Sequence, residues 1–229
     1  MIKIAYRDML SLIKGLSSVQ AGAALHEKDV LTFHSIAVVG SSCAGKTTML
    51  RKIKGSALCK TAKISLPVRY TTRPGRMNDA PGENFHLSRA AFAKKIRRGK
   101  IVFYWRKRMD ARSEELFGFG PPGPGIIPVY SGNNGLLFNR ETIYPKNALN
   151  KTLLIGVYAP DEIRWKRLLR RSPDLARNKP AELKYRLEDG AEKVLSRVPI
   201  IINNHGSLMR RSGQDMVKLL TRIIRGHDT

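Results

Sequence analysis

Four short apolar runs set the rhythm of this 229-residue chain: Ile36–Val39, Ile126–Tyr130, Leu153–Tyr158 and Ile200–Ile202. Each is aliphatic or β-branched and bounded by polar or turn-forming residues, the pattern of strands covered on both faces. Segments with helical spacing lie between and after them: Arg89 to Arg98, Asp161 to Arg171, Pro180 to Leu195, and a last one through Met216–Ile224. Asp161 stands where it can cap the second of these. Alternation of strands and helices predicts an α/β fold with a parallel sheet flanked by helices. Upstream, Ile2, Tyr6, Met9, Ile13 and Leu16 recur at helical spacing, while Lys3, Arg7 and Lys14 take another face. That predicts a basic amphipathic helix ending near Gly15, making residues 1–33 a helical extension ahead of a domain over 34–229. Packing on the domain is the favoured role for this helix; a transit-type segment stays open. Residues 105–125, rich in glycine and proline, read as a flexible loop or linker. Gly118, Gly120 and Gly123 satisfy GxGxxG formally, but two prolines inside it and a strand after it exclude a dinucleotide-binding turn.

The first apolar run leads straight into Gly40-Ser41-Ser42-Cys43-Ala44-Gly45-Lys46-Thr47, which fills every fixed position of GxxxxGK[ST]. A helix-compatible stretch from Thr48 follows. In such a strand–loop–helix, glycines let successive N–H groups turn inward and the helix adds its positive end. Lys46 is expected to reach the β/γ phosphates of a bound nucleoside triphosphate and the Thr47 hydroxyl to ligate Mg²⁺. A P-loop site for Mg²⁺ with ATP is therefore expected over Gly40, Ser41, Ser42, Cys43, Ala44, Gly45, Lys46, Thr47 and Thr48.

Charge changes the picture further. Forty-two Lys and Arg against 18 Asp and Glu give a formal net charge of +24. Such a surplus suits polyanionic partners, nucleic acid among them, beyond what a phosphate-handling site needs. Cys43 and Cys59 are too few for a disulfide scaffold and fit a reducing, cytoplasmic setting, with organelle targeting by the N-terminal helix left open. No run approaches the length of a transmembrane helix. The five histidines lack metal-ligand spacing.

A second basic cluster follows the loop: Arg69, Arg73 and Arg76, interleaved with Thr71 and Thr72. Beside a phosphate loop, arginines suited to bidentate recognition form a candidate clamp for an acceptor phosphate. Further along, Arg164, Arg167 and Arg171 share one face of a helix, with Leu168 and Leu169 able to pack inward.

These segments resemble the guanylate-kinase-like group of P-loop kinases, and within it the ribose 1,5-bisphosphate phosphokinases. The likeness runs through Gly40–Thr47, Arg69-Tyr70-Thr71-Thr72-Arg73, Glu83-Asn84, Leu87-Ser88 with Phe92, Trp105, Arg167-Leu168 with Arg171, Arg186, and Ile202-Asn203-Asn204 with Gly206-Ser207-Leu208. It is collinear from about residue 35 to 225. It implies a P-loop NTPase-type sheet with an acceptor-binding insertion over about 66–125 and a lid over about 164–190. It also implies that Arg73 and Arg76 hold the acceptor phosphate, near Arg69, Thr71 and Thr72. Lys46, Arg167, Arg171 and Arg186 would stabilise the transferred group, and Asn203 would meet the adenine ring. Two tyrosines of guanylate kinases are matched here by Phe85 and Phe117. Their guanine-reading Glu is matched by Tyr104, so GMP recognition is not implied.

Two functions follow. The first is an Mg²⁺- and ATP-dependent kinase acting on a small phosphorylated acceptor, ribose 1,5-bisphosphate or a nucleoside monophosphate. The second is a nucleotide-binding module without turnover, with Lys94, Lys95, Arg97, Arg98, Lys100, Arg106, Lys107 and Arg108 as a nucleic-acid or polyanion patch. Tyr104 and Trp105 would be available there for stacking.

Overall fold

The computed structural model describes residues 1–75, 84–108, 114–123, 127–132, 143–145, 147–171, 173 and 192–226. Its centre is a six-stranded sheet in the order β2-β13-β12-β4-β10-β5, formed by β2 (Val19–Ala21), β13 (Ile200–Asn203), β12 (Thr152–Tyr158), β4 (Ser35–Val39), β10 (Ile127–Ser131) and β5 (Ile64–Ser65). All neighbours pair in parallel except β2, which runs antiparallel to β13 at one edge. The apolar runs are these strands because they have no wet face. On β4, Ile36 and Val38 enter one core cluster with Met49, Ile155 and Leu219, while Ala37 and Val39 enter another with Phe103, Phe119 and Tyr130. Every residue of β4 is buried, as a central parallel strand requires.

Helices α2 (Lys46–Lys54) and α7 (Met209–Arg225) cover the first face. They pack so closely that a Cβ on Gly213 of α7 would stand 2.9 Å from Cγ of Lys52. The short α3 (Ala57–Lys60) and α6 (Glu192–Leu195), and the longer α4 (Arg89–Arg97) and α5 (Asp161–Arg171), complete the helical layer among the described residues. Of the segment from Pro180, only Glu192–Leu195 lies within the described residues.

The N-terminal stretch departs from the single helix expected of its spacing. Ile2–Ala5 is a strand, β1, paired antiparallel with β3 (Val30–Phe33), and only Tyr6–Ile13 is helical, as α1. Ile2 and Ile4 alternate inward with period two, so sheet pairing satisfies both their backbone and their burial. Met9, Leu16, Val19, Leu25 and Phe33 join the main core. Asp215, buried on α7, accepts hydrogen bonds from Ser18 N at 3.0 Å and Ser18 Oγ at 2.7 Å. Arg222 Nη1 donates to the carbonyls of Leu12 at 2.6 Å and Lys14 at 2.8 Å, meeting the open end of α1.

The region 105–125, expected to be a loop, is largely a hairpin. β8 (Phe103–Arg108) pairs antiparallel with β9 (Glu114–Phe119), within a second sheet in the order β11-β8-β9-β6-β7, where β6 is Arg69–Thr71, β7 Phe85–His86 and β11 Ile143–Tyr144. The glycines that suggested a loop answer to packing. A Cβ on Gly118 would come within 2.8 Å of Ile101 Cγ2 and 3.0 Å of Phe103 O. Phe103, Trp105, Phe117 and Phe119 stack into one buried aromatic layer beneath this sheet.

Candidate functional site

The carboxyl edge of the central sheet brings together the loop after β4, Gly132 at the end of β10 and Asn204 at the end of β13. Ser131 lies opposite Val38, and Gly132 N donates to Val38 O at 3.0 Å, so β10 ends beside the loop. Asn204 N donates to Tyr158 O at 2.8 Å, fixing the residue after β13 to the end of β12. In open parallel sheets this edge is where ligands bind.

Two loop positions are shaped by what lies beneath them. At Gly40 a Cβ would meet Val157 O at 2.5 Å. At Gly45, φ is 111° and a Cβ would meet Asn204 Nδ2 at 1.9 Å, so both backbone angle and space demand glycine. Cys43 also takes the left-handed region, with φ 62°. Left-handed residues set between right-handed ones turn amide groups toward one concavity, an anion nest. Ala44 N closes a tight turn onto Ser41 O at 3.2 Å. α2 then starts at Lys46 with Gly45 as its N-cap, and no side chain caps it. Its first-turn N–H groups and the positive end of its dipole face the loop. Lys46 Nζ donates to Gly40 O at 2.7 Å and to Ser41 O at 2.8 Å. Thr47 is partly buried and Thr48 exposed on that first turn.

The outer side of the loop is held from below. Arg164, fully buried on α5, donates from Nε to Ser42 O at 2.9 Å and from Nη1 to the exposed carboxylate of Asp161 at 2.6 Å. Asp161, expected as a cap, thus accepts from Arg164. Arg167 Nη1 donates to Cys43 O at 3.2 Å and Ala44 O at 3.3 Å, and its Nη2 to Asn204 O at 2.7 Å. Burial pushes the Arg167 guanidinium pKa down, opposed by Cys43 and reinforced by Arg170. Asn204, itself buried, donates from Nδ2 to Ala44 O at 2.6 Å and accepts from Ser212 Oγ at 3.0 Å. Leu168 is buried beneath α5 and Arg171 is exposed on it.

The second basic cluster sits at the end of the smaller sheet nearest this edge. Arg69 Nη1 donates to Ser131 Oγ at 3.2 Å and its Nε to Asn84 Oδ1, tying β6 to the end of β10. Thr71 is fully buried and its Oγ1 accepts from Arg73 N at 3.1 Å. Thr72 Oγ1 donates to the Glu115 carboxylate and accepts from Leu116 N at 2.9 Å. Arg73, also buried, donates to Pro74 O at 3.1 Å, and its own carbonyl meets His86 Nδ1 at 2.7 Å. Phe117 pairs with Thr71 across β6 and β9, and Phe85 with Tyr70 across β6 and β7.

Asn203 donates from Nδ2 to Gln20 Oε1 at 3.1 Å on β2. Arg76, Arg186 and most of the expected lid, 172 and 174–190, lie outside the described residues. Trp105 is 2% exposed and stacked on Phe117, and Tyr104 stacks on Tyr144 with ring centroids 5.1 Å apart. Trp105 is therefore unavailable for stacking with a base, because the hairpin turns it inward. Lys94, Arg97, Arg98 and Lys100 are exposed, and Lys95 Nζ lies 4.8 Å above the Tyr70 ring. Among the described residues no group of three or more His, Cys, Asp or Glu can hold a metal ion, and no helix is long and apolar enough to cross a membrane.

Sequence reasoning gave no role to Asn204 or Ser131 and placed Arg164 only on a helix face. The legible signal for the first two was position, directly after an apolar strand run at the edge where the loop also lies. No protein-family model and no curated protein matches the chain. Among solved structures it is similar to the crystal structure of guanylate kinase from Anaplasma phagocytophilum, with a TM-score of 0.49 and 15% sequence identity over 86% of this chain and 87% of that one.

Proposed function

We propose that this chain is an ATP-dependent phosphotransferase of the P-loop kinase type, moving the γ-phosphate to a small acceptor that already carries phosphate. The observation that carries this reading is the loop itself. Left-handed Cys43 and Gly45 lead into an uncapped helix, and Lys46 lies across the concavity. A cradle of amides at a helix N-terminus suits an anion, and the lysine across it suits the several charges of a polyphosphate.

The triphosphate would lie along Gly40–Thr48, with the Lys46 ammonium moving from Gly40 O and Ser41 O onto the β/γ oxygens. Phosphoryl transfer needs positioning and charge stabilisation rather than a covalent intermediate, and these groups supply both. The Thr47 hydroxyl is a hard oxygen donor of the kind Mg²⁺ takes and would hold that ion with the nucleotide, and the ion would supply charge neutralisation to the phosphoryl group in transfer. Arg167, Arg171 and Arg186 are assigned to the donor phosphates, which requires Arg167 to leave the loop carbonyls it now holds. Asn203 is assigned to the adenine ring, which requires its amide to leave Gln20.

On the acceptor side, Arg69, Thr71, Thr72, Arg73 and Arg76 are assigned to the phosphate already present. Phe85 and Phe117 bring no hydroxyl to it, and Tyr104 brings no carboxylate for a guanine. That supports ribose 1,5-bisphosphate, or a nucleoside monophosphate other than GMP, as acceptor. The test is a coupled ADP-release screen across phosphorylated sugars and nucleotides, with Lys46→Ala as control. Release that needs both an acceptor and Lys46 supports the reading. Equal release by the control marks contamination, and binding of ATP without release for any acceptor points to a module without turnover.

A further inference from the structure

Bending a loop so that its amides face inward forces the carbonyls of the same peptide units outward. Here those carbonyls are not left to water. Ser42 O receives Arg164 Nε at 2.9 Å, and Ala44 O receives Asn204 Nδ2 at 2.6 Å. Each donor is itself buried, Arg164 at 0% exposure and Asn204 at 4%. A guanidinium taken wholly out of water is expensive to keep there, so its position beneath the loop calls for a compensating task.

The peptide units concerned are particular ones. The Ser42 carbonyl belongs to the unit that carries the Cys43 N–H, and the Ala44 carbonyl to the unit that carries the Gly45 N–H. The amide between them, Ala44 N, is already committed to Ser41 O at 3.2 Å. Among the described residues the N–H groups of Cys43 and Gly45 have no protein acceptor. We propose that Arg164 and Asn204 are positioning residues of the triphosphate site, pinning and polarising the two peptide units whose N–H groups remain for phosphate. A donor on a carbonyl pulls density from its amide and strengthens the N–H on the far side. It also fixes the tilt of a plane that would otherwise rock. Ser212 Oγ, donating to Asn204 Oδ1 at 3.0 Å, fixes the amide of Asn204 in turn.

This rests on the triphosphate reading of the loop, and the experiment separates the two. Affinity for a non-hydrolysable ATP analogue is measured for the full chain and for Asn204→Ala and Arg164→Lys, the latter keeping the charge while losing the Nε donor. Each variant is expected to bind roughly ten-fold more weakly, with the KM for the acceptor unchanged. A merely structural role would lower the melting temperature and leave the affinity of the folded protein as it was. In the unaltered chain, amide exchange at Cys43 and Gly45, read by NMR, should slow when the analogue binds, while that of Ala44 changes less. Folded variants binding within about two-fold of wild type would overturn the proposal. So would Cys43 and Gly45 amides that exchange alike with and without bound analogue, a result that stands even if both variants fail to fold. A wild-type chain that binds no analogue at all overturns the triphosphate reading instead.

Discussion

The Lys46 ammonium donates to the carbonyl oxygen of Gly40 2.7 Å away, so the loop closes on its own lysine across six residues of chain. A charge-assisted bond of this kind tightens the loop and keeps the ammonium beside it. Replacing it tests both roles. Lys46→Met keeps the apolar stem and removes the charge. Nucleotide affinity, followed by fluorescence of a labelled ATP, is expected to fall at least about ten-fold. Stability should fall by about 1–3 kcal/mol, because Gly40 and Ser41 are both buried and their carbonyls lose this donor.

Gly45→Ala asks whether the loop tolerates a side chain. The residue sits at φ 111° with Asn204 Nδ2 1.9 Å from where a Cβ would go, so the amide of Asn204 must be displaced from Ala44 O. Backbone strain and the lost bond together should cost about 2–4 kcal/mol in urea denaturation, and ATP binding should vanish. A variant that keeps wild-type stability would show that the loop relaxes around the new methyl.

The aromatic layer under the smaller sheet gives a third expectation. Trp105 is fully buried against Phe103, Phe117 and Phe119. Trp105→Ala should destabilise the fold by about 3–5 kcal/mol. Because Thr71 ends the strand paired with Phe117 and Thr72 follows it directly, acceptor KM should rise before ATP affinity changes. Kinetic constants and denaturation midpoints measured on one preparation separate these effects.

Alkaline pH supplies a fourth. Burial pushes the Cys59 thiol pKa up, with Lys54 opposing, and burial likewise pushes the Tyr130 hydroxyl pKa up. The folded protein therefore holds these protons after the unfolded chain has released them. Stability is full below the ordinary cysteine range, then declines as pH rises through the ordinary cysteine and tyrosine values toward the raised folded ones. Denaturation midpoints at pH 8 and pH 10.5 should differ, and the gap should shrink in Cys59→Ala combined with Tyr130→Phe. An unchanged gap would place the alkaline loss in other groups.

Much of the parallel core was legible because its signal is local. Val38 and Val39 stand beside each other in sequence and face opposite layers, which only a strand covered on both sides permits. The turn from β4 into α2 was legible because the strand, the Gly40–Gly45 spacing and the helix start lie within a few residues of one another. The hairpin of β8 and β9 was not. Its glycines and charges carried the local signature of a loop, and the contacts that make Gly118 a strand residue come from Ile101 and Tyr104 across the pairing. The N-terminal stretch misled for a related reason. Ile2 fits the helical spacing with Tyr6 and Met9 and equally an alternating one with Ile4, and the partner that decides between them, β3, lies about thirty residues downstream.

The sequence by itself determined that a parallel sheet runs through a glycine-bounded loop into a helix, since periodicity and glycine placement act over a few residues. Only the tertiary structure decided what stands behind that loop. Arg164 and Asn204 come from segments more than one hundred and more than one hundred and fifty residues away. Their donors meet Ser42 O and Ala44 O because parallel strands deliver every one of their carboxyl ends to the same edge. Spacing along a chain cannot express that convergence.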